Sequence, residues 1–355
     1  MSKVPTLRDV AEYADVSLGT ASRALNNKNN VLPETRSRVL RAASDLGYKL
    51  QIRVPSAVTS KLNTIGVIVK RDPRDILEVD QFSYGVLSGI EDECRRLGLN
   101  AMFSTVPVDI YSHALDTSPI LNEPSVDGLV IVGAVFDDAE LCDQLPRKMP
   151  IVFVDGAACC KQFDSVLVDN YTSAYDMVSY LISKGHQKIA LIGSALQDNE
   201  HPSIRARRLG YQQALRDHDL YNPAYMVKSS LLKHIAREST RDLLNEYPDV
   251  TAIFACIDLI AFEIMEEIKD MGLSVPDDIS VVGFDDVASA AKTIPSLTTV
   301  HVDRALMGVL AVRRLYDRAT SMDGVSVKTV IGTRMILRDS VKSRVLSKKQ
   351  HIDRC

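Results

Sequence analysis

Long apolar stretches are missing from this chain of 355 residues. Runs such as Ile151–Val154 and Ile189–Gly193 stay under ten residues, whereas a membrane helix needs roughly 18–20. The chain does not open with a basic segment followed by an apolar one, so no secretory signal is expected and a cytoplasmic location is. The six cysteines (Cys94, Cys142, Cys159, Cys160, Cys256, Cys355) are scattered and form no C-x-x-C pair. Adjacent Cys159 and Cys160 suit neither a zinc site nor an easy disulfide, so free thiols in a reducing compartment are expected. H-E-x-x-H, G-x-S-x-G, Walker and G-x-G-x-x-G signatures are absent, and the histidines lack metal-ligand spacing. Neighbouring carboxylates such as Asp277–Asp278 and Asp285–Asp286 read as turn or cap residues rather than an acid/base pair. An enzyme is not expected, and neither a metal nor a cofactor is implied.

What is present describes an ordinary globular chain, with 46% apolar and 25% charged residues and a mean hydropathy near zero. That composition excludes disorder over most of the length and gives no support to a fibrous architecture. Length alone suggests two or three folded units. The net charge of −4 hides an asymmetry: residues 1–60 hold nine Lys/Arg against five Asp/Glu, a net of +4, which leaves −8 for the other 295 residues. The front end is the part suited to a polyanion.

In residues 6–26, Leu7, Val10, Ala11 and Ala14 fall on one face of a short helix. After the break Asp15–Val16–Ser17, Ser17 is a natural N-cap for a second helix whose inner face is Ala21, Ala24 and Leu25. Small residues at Ala11 and Ala21 let the two helices cross closely. A third helix starts at Pro33 and carries Val39, Ala42, Ala43 and Leu46 towards a C-cap at Gly47. Three short helices with a tight second connection predict a helix-turn-helix unit over residues 1–50.

Residues 51–63, which include Pro55, read as a linker. Beyond it, short β-branched runs alternate with helical stretches: strands near 64–69, 101–105, 128–132, 151–154, 188–192, 251–255 and 279–284, and helices near 82–97, 171–184, 204–217 and 258–271. This alternation predicts doubly wound parallel sheets. About 280 residues are too many for one sheet, so two α/β subdomains flanking a cleft are expected. The basic, polar tail from 341 to 355 is expected to be flexible.

Residues TLRDVAEYADVSLGTASRALN and PETRSRVLRAASDLGY resemble the DNA-binding headpiece of the LacI/GalR family of bacterial transcription regulators. KGHQKIALIG, RRLGYQQAL, VPDDISVVGFDD and PSLTTV are similar to that family's core markers, in the same order. The resemblance spans roughly residues 6–340. It implies a small all-α headpiece followed by a periplasmic-binding-protein-like α/β core. The N-subdomain would hold about 64–166 and 294–325, and the C-subdomain about 167–293 and 326–340.

By resemblance, the Leu7 backbone amide, Ser17, Thr20, Ser22, Asn26 and Thr35 contact phosphates, which sets position without reading sequence. Base readout then belongs to Leu18, Gly19 and Arg23. A bidentate Arg–guanine pair is worth about 1–3 kcal/mol of discrimination, and a leucine suits a thymine methyl. Gly19 contributes no side chain. In the linker the family inserts a leucine into the minor groove from a hinge helix. Ala57 stands at that position here, with Pro55 two residues before it. A hinge helix beginning near Pro55 is compatible with proline, but alanine does not wedge as leucine does.

The family binds an effector between its subdomains, at the carboxyl ends of parallel strands, where open α/β sheets take ligands. Carried over, Arg207 reaches a hydroxyl or anionic group, Asp285 accepts from paired hydroxyls, and Asp155 does so from the other subdomain. Phe82, at the mouth of the first subdomain, is placed either to stack on a sugar ring or to pack into the core. Ile257 replaces a polar family residue, which points to a ligand less polar than a free monosaccharide, and Asp258 then caps its own helix. His186, at a helix-to-strand turn, makes a structural hydrogen bond.

The expected function is a DNA-binding regulator, foremost a repressor. It would act as a homodimer on a pseudo-palindromic operator under control of a small-molecule effector, a carbohydrate or its derivative. No C-terminal heptads are present for a tetramer. An activator, or a repressor needing a corepressor such as a purine, fits the same motifs. A solute-binding protein would need a leader and would have no use for the headpiece.

Overall fold

In this computed structural model the described residues are 6–25, 33–46, 62–71, 81–146, 149–158, 163–320 and 325–344; the side chains of Leu7, Ser22, Pro33 and Ser44 lie outside that description. The chain divides into two compact units, one within Met1–Thr59 and one within Ser60–Cys355. Among the described residues no helix is long and apolar enough to cross a membrane.

The first unit contains α1 (Leu7–Tyr13), α2 (Leu18–Leu25) and α3 (Pro33–Asp45). Thr6 and Asp9 close a capping box at the start of α1, which satisfies two N–H groups that the helix itself cannot pair. Asp15, at φ +48°, turns the chain into α2. The Ser17 hydroxyl accepts the Thr20 N–H at 3.2 Å, the capping bond expected of it. Val10, Ala11, Ala14, Ala21, Ala24, Val39, Ala42 and Ala43 are buried together. The dominance of alanine is what lets helices of seven and eight residues pack tightly.

The second unit starts with β1 (Thr64–Arg71), α4 (Gln81–Leu97), β2 (Asn100–Pro107), β3 (Gly128–Val132), β4 (Val135–Phe136), α5 (Ala139–Asp143), β5 (Ile151–Val154), β6 (Ala157–Ala158) and β7 (Asp164–Val168). It then crosses to a second lobe made of α6 (Asn170–Ser183), β8 (Ile189–Ser194), α7 (Pro202–Asp217), β9 (Met226–Lys228), α8 (Lys233–Glu246), β10 (Ala252–Ala255), α9 (Asp258–Asp270) and β11 (Ser280–Val282). The chain returns through β12 (Thr299–His301) to α10 (Arg304–Thr320) and β13 (Lys328–Ile331), and crosses a third time through β14 (Arg334–Ile336).

The first lobe is a six-stranded parallel sheet in the order β13-β7-β5-β3-β1-β2, and the second a four-stranded parallel sheet in the order β11-β10-β8-β9. Strands covered on both faces read as unbroken apolar runs. On β3, Val130 and Val132 join the core with α4 and α10, while Leu129 and Ile131 join a separate core with Phe136 and Leu145. On β8, Ile189 and Leu191 pack with Tyr211 of α7, and Ala190 and Ile192 with Ile260 and Ile264 of α9.

Four expectations need correction. Lys328–Ile331, placed in the C-subdomain on sequence, forms the edge strand of the first sheet beside β7. Buried Asp164 holds it there by accepting the Val327 N–H at 2.6 Å while paired to Arg314 and Arg318 of α10. The final linker residues already belong to the second unit, since Leu62 is buried and the Asn63 N–H bonds to Asp127. The expected flexible tail is tied down over 341–344. There Lys342 N–H donates to Ser280 Oγ at 3.0 Å and Arg344 N–H to the Lys184 carbonyl at 2.7 Å; residues 345–355 lie outside the description. Asp258 does not cap its helix: Ile257 occupies the N-cap position, without a capping side-chain bond.

Candidate functional site

Two surfaces carry the residues singled out on sequence. On the helical unit, Ser17, Leu18, Gly19 and Arg23 are exposed, and Thr20 and Thr35 half-buried. Leu18 leaves 49% of its surface in water. Arg23 lies back along α2, its Nε donating to the Gly19 carbonyl at 3.1 Å. A Cβ at Gly19 would sit 3.8 Å from that guanidinium. That is ordinary van der Waals contact, so the arginine could lie along the helix past a small side chain as well. Leu7 supplies the first helical residue of α1, and Ser22 lies within α2. Asn26, Gly47, Pro55 and Ala57 fall outside the described residues.

In the second unit a cleft between the lobes is lined by Lys70, Phe82, Ser112, Asp155, His201, Ser203, Ile204, Arg207, Leu231, Ile257, Leu259, Asp285 and Val287. All four residues chosen for effector contact, Phe82, Asp155, Arg207 and Asp285, meet there. Asp155 directly follows β5, Ile257 follows β10 and Asp285 follows β11, so the cleft opens at the carboxyl ends of the strands.

Arg207 is 3% exposed and Asp285 6%. Their side chains pair at 3.1 Å, and Arg207 also donates to Asn170 Oδ1 at 2.8 Å and to the Cys256 carbonyl at 2.7 Å. Its guanidinium lies 3.7 Å above the Phe284 ring. A buried ion pair survives desolvation only when its other donors are satisfied, and these contacts do that. Asp155 and Asp285 both adopt positive φ, +48° and +110°. Side-chain-bearing residues rarely do so, and such backbone strain concentrates at working sites.

Asp155 also bridges the lobes. Its carboxylate accepts the Ser203 hydroxyl, and its carbonyl lies 3.0 Å from His201 Nε2. With that carbonyl as acceptor, Nε2 carries the proton and Nδ1 accepts the Ser203 N–H at 3.3 Å. Burial pushes His201 down to about 4, so the ring is neutral. Behind the cleft wall, Asp258 accepts the Val287 N–H at 2.9 Å and the Thr299 hydroxyl at 2.5 Å. Burial pushes it up to about 8, with the charge of Asp285 adding to the effect. Asp286 is lowered instead: burial raises it, but hydrogen bonds from Arg338 and His301 outweigh that. His186 bonds to Thr251 Oγ1 at 2.9 Å and to the Lys342 carbonyl at 3.0 Å, the structural role expected of it.

Sequence reasoning missed Lys70, Ser112, His201 and Ser203. Lys70 had a usable signal, a cation ending the apolar strand IGVIVK. His201 and Ser203 had none, because only the packed lobes bring the start of α7 against β5.

Residues 6–51 match the bacterial regulatory proteins of the lacI family, and residues 178–341 match the periplasmic binding protein-like domain. The chain is 30% identical to catabolite control protein A of Priestia megaterium over 315 residues, 87% of this chain and 91% of that protein. The transcriptional regulator CelR in its cellobiose complex is similar in structure, with a TM-score of 0.68 and 27% identity over 95% of this chain and 99% of that one. The Lac repressor dimer bound to operator and the anti-inducer ONPF gives a TM-score of 0.66 and 26% identity, covering 96% and 100%.

Proposed function

Because the chain belongs to the lacI family of DNA-binding transcription regulators, we propose that it represses transcription as a homodimer on a pseudo-palindromic operator and answers to a small molecule, a sugar or sugar derivative, in the interlobe cleft. A single short recognition helix reads few base pairs, so two copies are needed for specific affinity. On this reading Leu18, Gly19 and Arg23 face bases. The Leu7 amide, Ser17, Thr20, Ser22, Asn26 and Thr35 hold phosphates, Ala57 lies at the hinge, and Phe82, Asp155, Arg207 and Asp285 hold the effector.

The observation that carries the reading is the α2 surface. An exposed leucine and an exposed arginine flank a glycine on the N-terminal unit, the part of the chain with a net charge of +4. The cleft supports the regulatory half. It sets Phe82 and aliphatic side chains beside the Asp155 and Asp285 carboxylates and the Arg207 guanidinium, the apolar wall with a few placed polar groups that small-molecule sites use. The relatives point the same way, one holding cellobiose and another an operator.

The test is operator selection with the purified chain, followed by binding at fixed salt. Arg23→Ala should cost about 1–3 kcal/mol of discrimination between operator and random DNA, roughly 5- to 150-fold. Equal loss on both DNAs would make Arg23 a phosphate contact, and an unchanged ratio would remove it from base readout.

A further inference from the structure

Lys70 is a cleft cation that the effector reading does not use. It stands near the carboxyl end of β1, half-buried, and its ammonium bonds to Ser112 Oγ at 3.3 Å. An ammonium has three N–H donors, and among the described residues no carboxylate forms an ion pair with this one. The two cleft carboxylates are engaged elsewhere, Asp155 by the Ser203 hydroxyl and Asp285 by Arg207. The stem is held in place against Gly133, where a Cβ would come within 2.9 Å of Lys70 Cδ. The opposite lobe adds an apolar patch of Leu231, Ile257, Leu259 and Val287 beside its polar Ser203, Arg207 and Asp285.

We propose that Lys70 makes this cleft a receptor for a small molecule bearing an oxyanion, a phosphate monoester or a carboxylate, whose less polar side lies against Ile257 and Leu259. The proposal rests on the cleft being the effector site and names the ligand class it takes. A partly buried cation is costly without a counter-charge, and a ligand oxyanion supplies one where no carboxylate among the described residues does. It also accepts the remaining ammonium protons, in charge-assisted hydrogen bonds stronger than neutral ones. The helices α7 and α9 both begin at this cleft, and their N-terminal partial charges add to the ammonium's. Ile257 then fits: a polar residue there would serve a hydroxyl, whereas isoleucine serves the apolar flank of an amphipathic ligand.

The experiment uses the full chain and matched probes: glucose against glucose 6-phosphate and gluconate, and adenosine against AMP, with inorganic phosphate alone as a further arm. Melting shifts are followed by titration at two salt concentrations. At least one anionic probe should bind tenfold or more tightly than its neutral counterpart, and should weaken with salt. Lys70→Gln should erase that preference and Lys70→Arg keep it within about threefold, with circular dichroism confirming that both variants fold. Gluconate against glucose 6-phosphate tells carboxylate from phosphate. Equal binding of neutral and anionic probes, an anion preference that survives in Lys70→Gln, or no binding of any anionic probe would each overturn the proposal. A neutral probe that binds wild type and Lys70→Gln alike but not Asp285→Asn would overturn it while leaving the cleft reading intact. No shift with any probe in a chain that still binds operator would count against both.

Discussion

Asp258, His186 and His201 are buried titratable groups with opposite demands on pH. Asp258 is raised to about 8 by burial, far above the roughly 3.9 of an unfolded aspartate. The folded state therefore holds that proton more tightly, and the stability it brings is lost as pH rises from about 4 to about 8. Burial lowers His186 and His201 to about 4, below the roughly 6.5 of an unfolded histidine. The unfolded chain takes those protons first, so their contribution is lost as pH falls from about 6.5 to 4. Between those values two histidines oppose one aspartate and stability rises with pH; above about 6.5 the aspartate acts alone and stability falls. Denaturant titrations from pH 5 to 8.5 should show a maximum near 6.5, with a later decline of at most about 1.4 kcal/mol per pH unit. Asp258→Asn copies the protonated acid and should flatten that decline while changing little at pH 6. If the variant declines as steeply as the wild type above 6.5, the proton belongs to another group.

At the scale of elements, the contact between α4 and α10 depends on two glycines inside helices. A Cβ at Gly89 would fall 1.9 Å from the Ala305 carbonyl oxygen, and one at Gly308 would fall 2.1 Å from that of Val86. Neither distance can be relieved by turning a side chain, because backbone meets backbone. Gly89→Ala or Gly308→Ala should destabilise the core by at least the 1–3 kcal/mol typical of overpacking, measured by denaturant unfolding. A neutral result at both sites would mean that the helices separate freely. Ser17, Arg207 and Asp285 could be picked out from sequence because each sits in a local pattern, a cap or a family motif. The helices α8 and α10 were passed over although α10 has Met307, Ala311 and Leu315 on one buried face, since Gly308 and its run of arginines break an apolar profile. The bonds of Asp258 to Val287 and Thr299, 29 and 41 residues away, left no local trace. From sequence the aspartate stood only before an apolar helix, where a cap is the simplest expectation.

For the whole molecule, the question is what a ligand in the cleft does to a unit that holds DNA. A ligand shifts an equilibrium only by the difference in its affinity for the two states. The lobes are cross-linked by Ser203 and His201 on Asp155, and a ligand that takes over the Asp155 carboxylate replaces one of those links. Loss of that link favours whichever lobe arrangement the ligand selects. Ser203→Ala should therefore move the operator affinity of the ligand-free chain towards its liganded value, although residue 203 is remote in sequence from the headpiece. Linkage adds a stricter requirement: the factor by which ligand changes operator affinity must equal the factor by which operator changes ligand affinity. For a coupling of about 1–3 kcal/mol both factors lie between roughly 5 and 150. Operator titrations with and without saturating ligand, and ligand titrations with and without saturating operator, at one salt concentration, give the two numbers. If both factors equal one, ligand and DNA bind independently and the chain is not a ligand-controlled regulator. If they differ from one and agree, their direction separates induction from corepression, and the affinity of Ser203→Ala for operator should fall between the two wild-type values.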